Sequence, residues 1–468
     1  MNILTEDKVV SGIELFSAWV ESQMAYKGQP GLSVGVVYDQ ALIWAQGFGY
    51  ADVVKQIKTT PQTIYRIASI TKLFTATAVL QLRDAGKLQL DDPVGKHLPW
   101  FTIQNNFEDV PIITIRHLLT HTAGLPREAK FPYWTDANFP ALAQIQKTIR
   151  QQETAVPAAT RWKYSNLAFS LAGAIVAEVS GQPYVDYVRD NVLRPLDMTS
   201  TFVETIDPDH ERLAVGYGRR LPGSYGRDIM PFTDCQGITP AANIATSVED
   251  LAKFAMLQFR AGDGKKPRPA GGDQILQGST LREMQRIHWL NVGWQEGWGL
   301  GFSINRRGDK IYIGHGGALL GYRTLIQLLP SEKVGVIVLT NADDGNPLFY
   351  LEKAFEWIVA AVLEAVKREE VTVVADPAWQ QYLGLYRNVW SDTQIMLHKQ
   401  QLIAIDPSLP DPMPFLTRLI PISQHTFRME TKFGGSGPGE LAIFHLDESG
   451  NVARLQTGEN FRERIEKW

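Results

Sequence analysis

Ser69 and Lys72 stand three residues apart in the segment Ser69-Ile70-Thr71-Lys72, where a polar turn gives way to the apolar run 73–82. Residues at i and i+3 share one face of a helix, so a helix over 69–85, closed by Gly86, brings the Lys72 amine within reach of the Ser69 hydroxyl. A hydroxyl beside a base is an activated nucleophile, the chemistry of acyl transfer. A serine that only caps a helix, followed one turn later by a solvated lysine, has the same sequence. The pair gains meaning through partners elsewhere in the chain.

Two such partners follow. Tyr164-Ser165-Asn166 precedes a small-residue helix expected over 167–179 and places a phenol and an amide at a loop-to-helix junction, where side chains are exposed. Tyr312-Ile313-Gly314-His315-Gly316-Gly317 ends an expected strand with glycines, which let a backbone N–H approach a substrate closely.

Taken in order, these three segments resemble the penicillin-recognising serine hydrolases, the family of class C β-lactamases, D-alanyl-D-alanine carboxypeptidases and related esterases. Ser69 and Lys72 fall on that family's S-x-x-K, Tyr164 and Asn166 on its Y-x-N, and His315-Gly316-Gly317 on the strand motif that is usually Lys-Thr-Gly. Further similar stretches are Leu118-Leu119-Thr120-His121-Thr122-Ala123-Gly124-Leu125, Ala245-Thr246-Ser247-Val248-Glu249-Asp250-Leu251 and Trp298-Gly299-Leu300-Gly301-Phe302, so the resemblance spans 30–345. A second Y-x-N, Tyr386-Arg387-Asn388, lies outside this order, and no catalytic role is expected of it.

The resemblance implies roles. Ser69 is the expected nucleophile, with Lys72 and Tyr164 sharing its proton: the Lys72 pKa falls if the amine is desolvated, and a neighbouring ammonium favours the Tyr164 phenolate. The backbone N–H groups of Ser69 and Ala318 are the expected oxyanion hole. Asn166 is expected to hydrogen-bond Lys72 or the acyl-side amide of the substrate. Gly316 and Gly317 border the substrate on the strand, and Tyr133 and Trp162 are candidate walls of an apolar acyl pocket. No metal or organic cofactor is implied, and His117 and His121, though spaced i and i+4, lack the glutamate of a metalloprotease helix.

His315 departs from the family pattern. An exposed imidazole is mostly neutral at pH 7, whereas the usual lysine is charged, so a fixed cation for a substrate carboxylate is missing. Family members with histidine here include esterases and aminopeptidases, and its expected role is a hydrogen bond to Tyr164. Arg323 is the candidate for supplying the missing charge. The expected function is hydrolysis of small esters or amides through an acyl-enzyme on Ser69. The alternatives are a D-amino-acid peptidase or carboxypeptidase, a weak β-lactamase, and a non-catalytic binding or scaffold protein that keeps the fold.

The elements that must position these groups read as α+β. A helix over 13–26 precedes a hairpin of 32–38 and 42–48 about Asp39-Gln40; helical patterns dominate the middle, and strands return at 310–313, 322–329 and 334–340. With the resemblance, this implies a β-lactamase/transpeptidase-like antiparallel sheet flanked by helices, with a helical subdomain. The glycine-rich stretch 262–272 is expected to be an exposed insertion. A helix over 351–366 ends at a charged run, giving a hydrolase domain 1–370, a linker 371–376 and a second domain 377–468. The last of these, with short alternating runs and a turn at 447–451, reads as a small antiparallel β-barrel that resembles the lipocalin-like domain of some related hydrolases.

The balance of 46 basic against 50 acidic residues, with no basic aromatic-interleaved stripe, points away from nucleic acid as a partner, and the resemblance implies a small-molecule ester, amide or short peptide substrate. Cys235 is the single cysteine, which excludes an internal disulfide. The first residues lack a basic and an apolar secretory region, so a cytoplasmic location is expected, and the most apolar later stretch, 358–363, is too short to span a bilayer. Homo-oligomerisation is left open.

Overall fold

The computed structural model of the chain describes residues 3–224, 226–261, 273–369, 375–431, 434 and 437–465. Its backbone divides into two compact units, Met1–Ala365 and Val366–Trp468. The insertion expected at 262–272 and positions 371–374 of the expected linker lie outside the described residues.

The first unit opens with the helix Asp7–Lys27, followed by strands β1 (Gly31–Tyr38), β2 (Ala41–Asp52) and β3 (Ile57–Lys58). A short ladder joins β4 (Tyr65–Arg66) to β5 (Ala245–Thr246), and the remaining strands are β6 (Trp289–Leu290), β7 (Glu296–Trp298), β8 (Ser303–Arg307), β9 (Lys310–Leu319), β10 (Tyr322–Leu329) and β11 (Val334–Thr340). The sheet runs β3-β2-β1-β11-β10-β9-β8-β7-β6, so antiparallel pairing of β1 with β11 closes the N-terminal hairpin onto the C-terminal strands. Every residue of β11 is buried, and its sequence, Val-Gly-Val-Ile-Val-Leu-Thr, lacks the apolar–polar alternation of a strand with one wet face. Helices cover both sides: Phe16 of the first helix meets Trp44 of β2 edge-on at 5.8 Å, while Val248, Leu251 and Phe254 of the helix Val248–Gln258 join Val37 in the main core.

The helical part, intercalated in the chain between β4 and β6, is built on Thr71–Asp84 and Asn166–Ser180. Leu73, Phe74, Leu171 and Ile175 are fully buried, each such side chain contributing roughly 1.5–3 kcal/mol of transfer free energy, and Phe74 stacks on Phe254 at 4.4 Å. The expected helix over 69–85 begins two residues later than its spacing suggested, because Ala68–Ile70 forms a 3-10 turn before Thr71. Gly86 closes it, at φ +71, with its N–H donating to the Arg83 carbonyl and that of Lys87 to Leu82. Ser165 caps the second helix by accepting from the Ala168 N–H.

The second unit is a closed barrel of eight antiparallel strands running from Gly384–Arg387 to Asn460–Ile465, with Tyr386 opposite Arg464 where first and last strands meet. Tyr382, Phe427 and Phe444 pack in its core, and the buried Tyr386 donates its hydroxyl to the Tyr382 carbonyl at 2.8 Å, so the second Y-x-N serves the barrel interior. Among the described residues no helix is long and apolar enough to cross a membrane.

Candidate active site

The 3-10 turn leaves Ser69 half-buried at the start of the helix and points Lys72 into the protein, where it is fully buried. The Lys72 amine donates to Asn166 Oδ1 at 2.8 Å and to the Ala241 carbonyl at 2.8 Å, and lies 3.1 Å from Ser69 Oγ. Two hydroxyls hold this helix against the 240–244 segment: Thr75 donates to the Pro240 carbonyl and Thr71 accepts from the Ile244 N–H. Burial holds the Lys72 pKa well below its ordinary 10.5; Glu128 nearby opposes that shift and Arg127 adds to it.

Tyr164 precedes the capping residue Ser165, so its ring leaves the chain just before the helix begins. Its hydroxyl hydrogen-bonds Ser69. The ring centroid lies 4.9 Å from Lys72 Nζ and 5.0 Å from the Arg127 guanidinium, and the His121 ring packs against it at 4.3 Å, tilted by 34°. The phenolate expected from a neighbouring ammonium is not the resting form. Burial raises the Tyr164 pKa, outweighing the downward pull of the Ser69 hydrogen bond and of Arg127, and the same burial disfavours the ammonium that was to stabilise a phenolate. Burial thus favours the uncharged form of both groups.

His315 is not the exposed imidazole that its glycine neighbours suggested. It is only 4% exposed, because alternation along β9 turns His315 and Gly317 inward while Gly316 and Ala318 face out. Desolvation, with the nearby Lys72 second, lowers its pKa to about 3. Its Nδ1 meets the Gly316 carbonyl at 2.6 Å, so Nδ1 carries the proton, since a carbonyl only accepts. The expected hydrogen bond to Tyr164 is absent: Nε2 has no hydrogen-bond partner among the described residues, and the two ring centroids are 6.2 Å apart.

Strand register positions the outer residues of this motif. Leu319 and Tyr322 close the two-residue turn as a hydrogen-bonded pair, so Gly317 and His315 also bond β10, while the N–H groups of Ala318 and Gly316 point to the other edge. On that edge β8 pairs with β9 only as far as Gly314, leaving the rest of β9 open to the cleft. Gly317 must lack a side chain, because a Cβ there would collide with the Ile67 carbonyl oxygen and Thr324 Oγ1. The strand thus runs close to the turn that carries Ser69.

Of two expected substrate contacts, one is found ion-paired and the other is corrected. Arg323 sits opposite Ala318 in β10, out of phase with Thr324, whose hydroxyl donates to the Ile67 carbonyl at 3.1 Å. Its side chain therefore leaves the sheet on the face away from Ile67, where it pairs with Asp343 at 3.0 Å; Arg323 lines the cleft, but as an ion-paired charge. Tyr133 is fully buried and donates its hydroxyl to Glu128 instead of lining the cleft. Trp162, as expected, lines the cleft of about 1140 Å³ that holds Ser69, together with Trp134, Trp298 and Arg127. His117 and His121 serve the backbone separately, each accepting at Nδ1, from the N–H of Thr114 and of Ser165.

The residues that sequence reasoning missed are Arg127, Glu128 and the Ala241 carbonyl. Glu128 accepts from Asn166 Nδ2 at 2.8 Å and from Arg127 Nε at 3.1 Å. A signal existed: Arg127-Glu128 lies just beyond the stretch 118–125 already singled out, a charged pair beside a family-like segment. Nothing in the sequence pointed to Ala241.

A family model described as Beta-lactamase matches residues 16–361. Protein flp of Staphylococcus aureus (strain COL) is 31% identical over 312 residues, covering 67% of this chain and 59% of flp. Beta-lactamase-like protein 2 of Dictyostelium discoideum is 29% identical over 350 residues, covering 73% of this chain and 61% of that protein. The chain thus matches about three-fifths of the length of these relatives. Among solved structures, the octameric penicillin-binding protein homologue from Pyrococcus abyssi aligns with a TM-score of 0.64 at 23% identity, over 96% of this chain and 99% of that one. A D-stereospecific amidohydrolase from Streptomyces sp. aligns with a TM-score of 0.60 at 23% identity, over 73% of this chain and 97% of that one. At such identities the structural likeness speaks for the fold.

Proposed function

Because the chain belongs to the Beta-lactamase family, we propose that it is a serine hydrolase cleaving small ester or amide substrates through an acyl-enzyme on Ser69. The observation that carries this reading is the hydrogen-bonded placement of the Lys72 amine, buried and 3.1 Å from Ser69 Oγ. A neutral amine is a base. With two of its protons donated to Asn166 and Ala241, its remaining valence faces the Ser69 hydroxyl.

The steps follow from that geometry. Lys72 takes the Ser69 proton as Oγ attacks the substrate carbonyl, and the tetrahedral oxyanion is met by the N–H groups of Ser69 and Ala318. As the intermediate collapses, the Tyr164 hydroxyl, bonded to Ser69, protonates the departing alcohol or amine. Water then attacks the acyl-enzyme, gives its proton to the same pair and releases Ser69. Every residue invoked lies in the unit Met1–Ala365.

Substrate charge narrows the class. His315 is neutral and Arg323 is engaged by Asp343, so the position where the family usually has a lysine carries no charge for a leaving-group carboxylate, although Arg306 and Arg307 of β8 also line the cleft. This favours uncharged esters and amides over D-alanyl-D-alanine termini and β-lactams. The test is labelling with a fluorescent fluorophosphonate and a fluorescent penicillin, followed by p-nitrophenyl ester and D-amino-acid anilide assays, in wild type and Ser69→Ala. Ser69-dependent phosphonate labelling with ester turnover and little penicillin labelling is expected. Stable penicillin labelling would favour a peptidase, and no labelling at all a non-catalytic protein.

A further inference from the structure

A neutral amine serves as base only if its lone pair reaches the proton to be removed. Lys72 has two acceptors at 2.8 Å, the Ala241 carbonyl and Asn166 Oδ1. The first is backbone and cannot present a donor. The second belongs to a side-chain amide, which can offer oxygen or NH₂ to its neighbour depending on what lies behind it. An NH₂ turned toward Lys72 would donate to the amine and capture the lone pair meant for Ser69.

Behind Asn166 lies Glu128. A carboxylate only accepts, so Oε1 of Glu128, 2.8 Å from Asn166 Nδ2, requires the NH₂ on its own side and leaves Oδ1 facing Lys72. Glu128 is anchored in turn by Arg127 Nε at 3.1 Å and by the hydroxyl of Tyr133, whose ring is buried against Phe139 at 4.9 Å. A continuous chain of contacts therefore runs from an aromatic cluster through Tyr133, Glu128 and Asn166 to Lys72 and Ser69.

We propose that Glu128 is a positioning residue for the proton transfer at Ser69: acting through Asn166, it orients the amide so that Lys72 keeps its free valence on the serine hydroxyl. The inference rests on the reading of Lys72 as the base. Glu128 need not touch the substrate, and it does not line the cleft that holds Ser69.

Glu128 also acts on Lys72 by charge, which separates this role from simple packing. The titratable groups that bear on Lys72 and its site are Glu128 and Arg127, Cys235, His121, His315 and Tyr164. Around Glu128 itself stand Arg127, Tyr133 and Lys163. Of those bearing on Lys72, Glu128 is the group that favours the ammonium most strongly. Replacing it with glutamine removes that influence, so Lys72 loses its proton at lower pH even as its alignment deteriorates. A residue that mattered only for packing would change the rate without moving the titration.

The experiment compares wild type, Glu128→Gln and Glu128→Asp in two measurements: pre-steady-state acylation by a p-nitrophenyl ester across pH, and the titration of Lys72 Nζ by NMR. In Glu128→Gln we expect acylation to fall on the order of tenfold or more, the worth of one charge-assisted hydrogen bond, with the acid limb and the Lys72 midpoint moved to lower pH. Glu128→Asp, which keeps the charge, should hold the midpoint near the wild-type value and recover part of the rate. It serves as the test if the glutamine variant does not fold. Wild-type acylation or an unmoved Lys72 midpoint in Glu128→Gln overturns the inference, as does a shifted midpoint in Glu128→Asp. Failure of the hydrolase reading looks different: wild type would not acylate at Ser69, while the NMR titration would still decide the role of Glu128.

Discussion

The imidazole of His121 lies 4.3 Å beneath the ring of Tyr164, and its Nδ1 accepts the N–H of Ser165 at 3.1 Å. One residue thus supports the phenol and fixes the backbone that carries it. His121 does so from φ +57, a conformation unfavourable for a side chain of its size. Replacing it with leucine leaves the buried Ser165 N–H without an acceptor and should destabilise the protein by about 1–3 kcal/mol. Denaturant unfolding of His121→Leu checks this, and a loss in kcat larger than any change in KM is expected to accompany it.

Tyr164→Phe keeps the ring, its stacking and its burial, and removes only the hydroxyl bonded to Ser69. If that hydroxyl protonates the leaving group, kcat should fall about a hundred- to ten-thousand-fold with unfolding unchanged. Substrates with good leaving groups need less help from an acid, so p-nitrophenyl esters should suffer less than alkyl esters or anilides. An equal loss across leaving groups would count against this role.

The pH dependence has two expected parts. Lys72 must lose its proton to act as base, and burial lowers its pKa, so kcat/KM should rise with pH along an acid limb lying well below the ordinary lysine value of 10.5. His315 contributes to stability rather than to that limb. Its pKa falls from 6.5 to about 3 on folding, so between those values the unfolded chain binds more protons and stability declines as pH drops. Unfolding measured at several pH values through this window should show a shallower decline in His315→Gln than in wild type.

The two glycines after His315 should respond differently to a methyl group. In Gly317→Ala the new Cβ meets the Ile67 oxygen and Thr324 Oγ1, forcing β9 away from the turn that carries Ser69, at a cost of roughly 1–3 kcal/mol. In Gly316→Ala the nearest atoms lie at 3.7 and 3.8 Å, ordinary contact. Thermal unfolding should therefore separate them, with Gly316→Ala near wild type and Gly317→Ala less stable and slower to acylate. Equal midpoints would show that the strand can yield.

The parts legible in the sequence are those set by short-range geometry. The i, i+3 spacing brought Lys72 to Ser69, the turn at Asp39-Gln40 and the runs about it marked the hairpin, and the order of motifs pointed to the family. The alternating runs after residue 377 marked the closed barrel in the same way. All of these depend on dihedral preferences and side-chain periods of a few residues.

Tertiary structure decided what depends on burial, register and distant neighbours. Desolvation favours the uncharged forms of Tyr164 and Lys72 where a phenolate and an ammonium were expected, and the fold buried a histidine that its glycine neighbours suggested was exposed. Pairing with Ala318 put Arg323 on the face opposite Thr324, where Asp343 engages it, because a side chain's face follows its partner in the ladder. Glu128 reached Asn166 across 38 positions of sequence, and the Ala241 carbonyl reached Lys72 across 169. Contacts of that range leave no periodic trace in the residues that make them, so the groups that hold the lysine in place became visible only once the chain had folded around it.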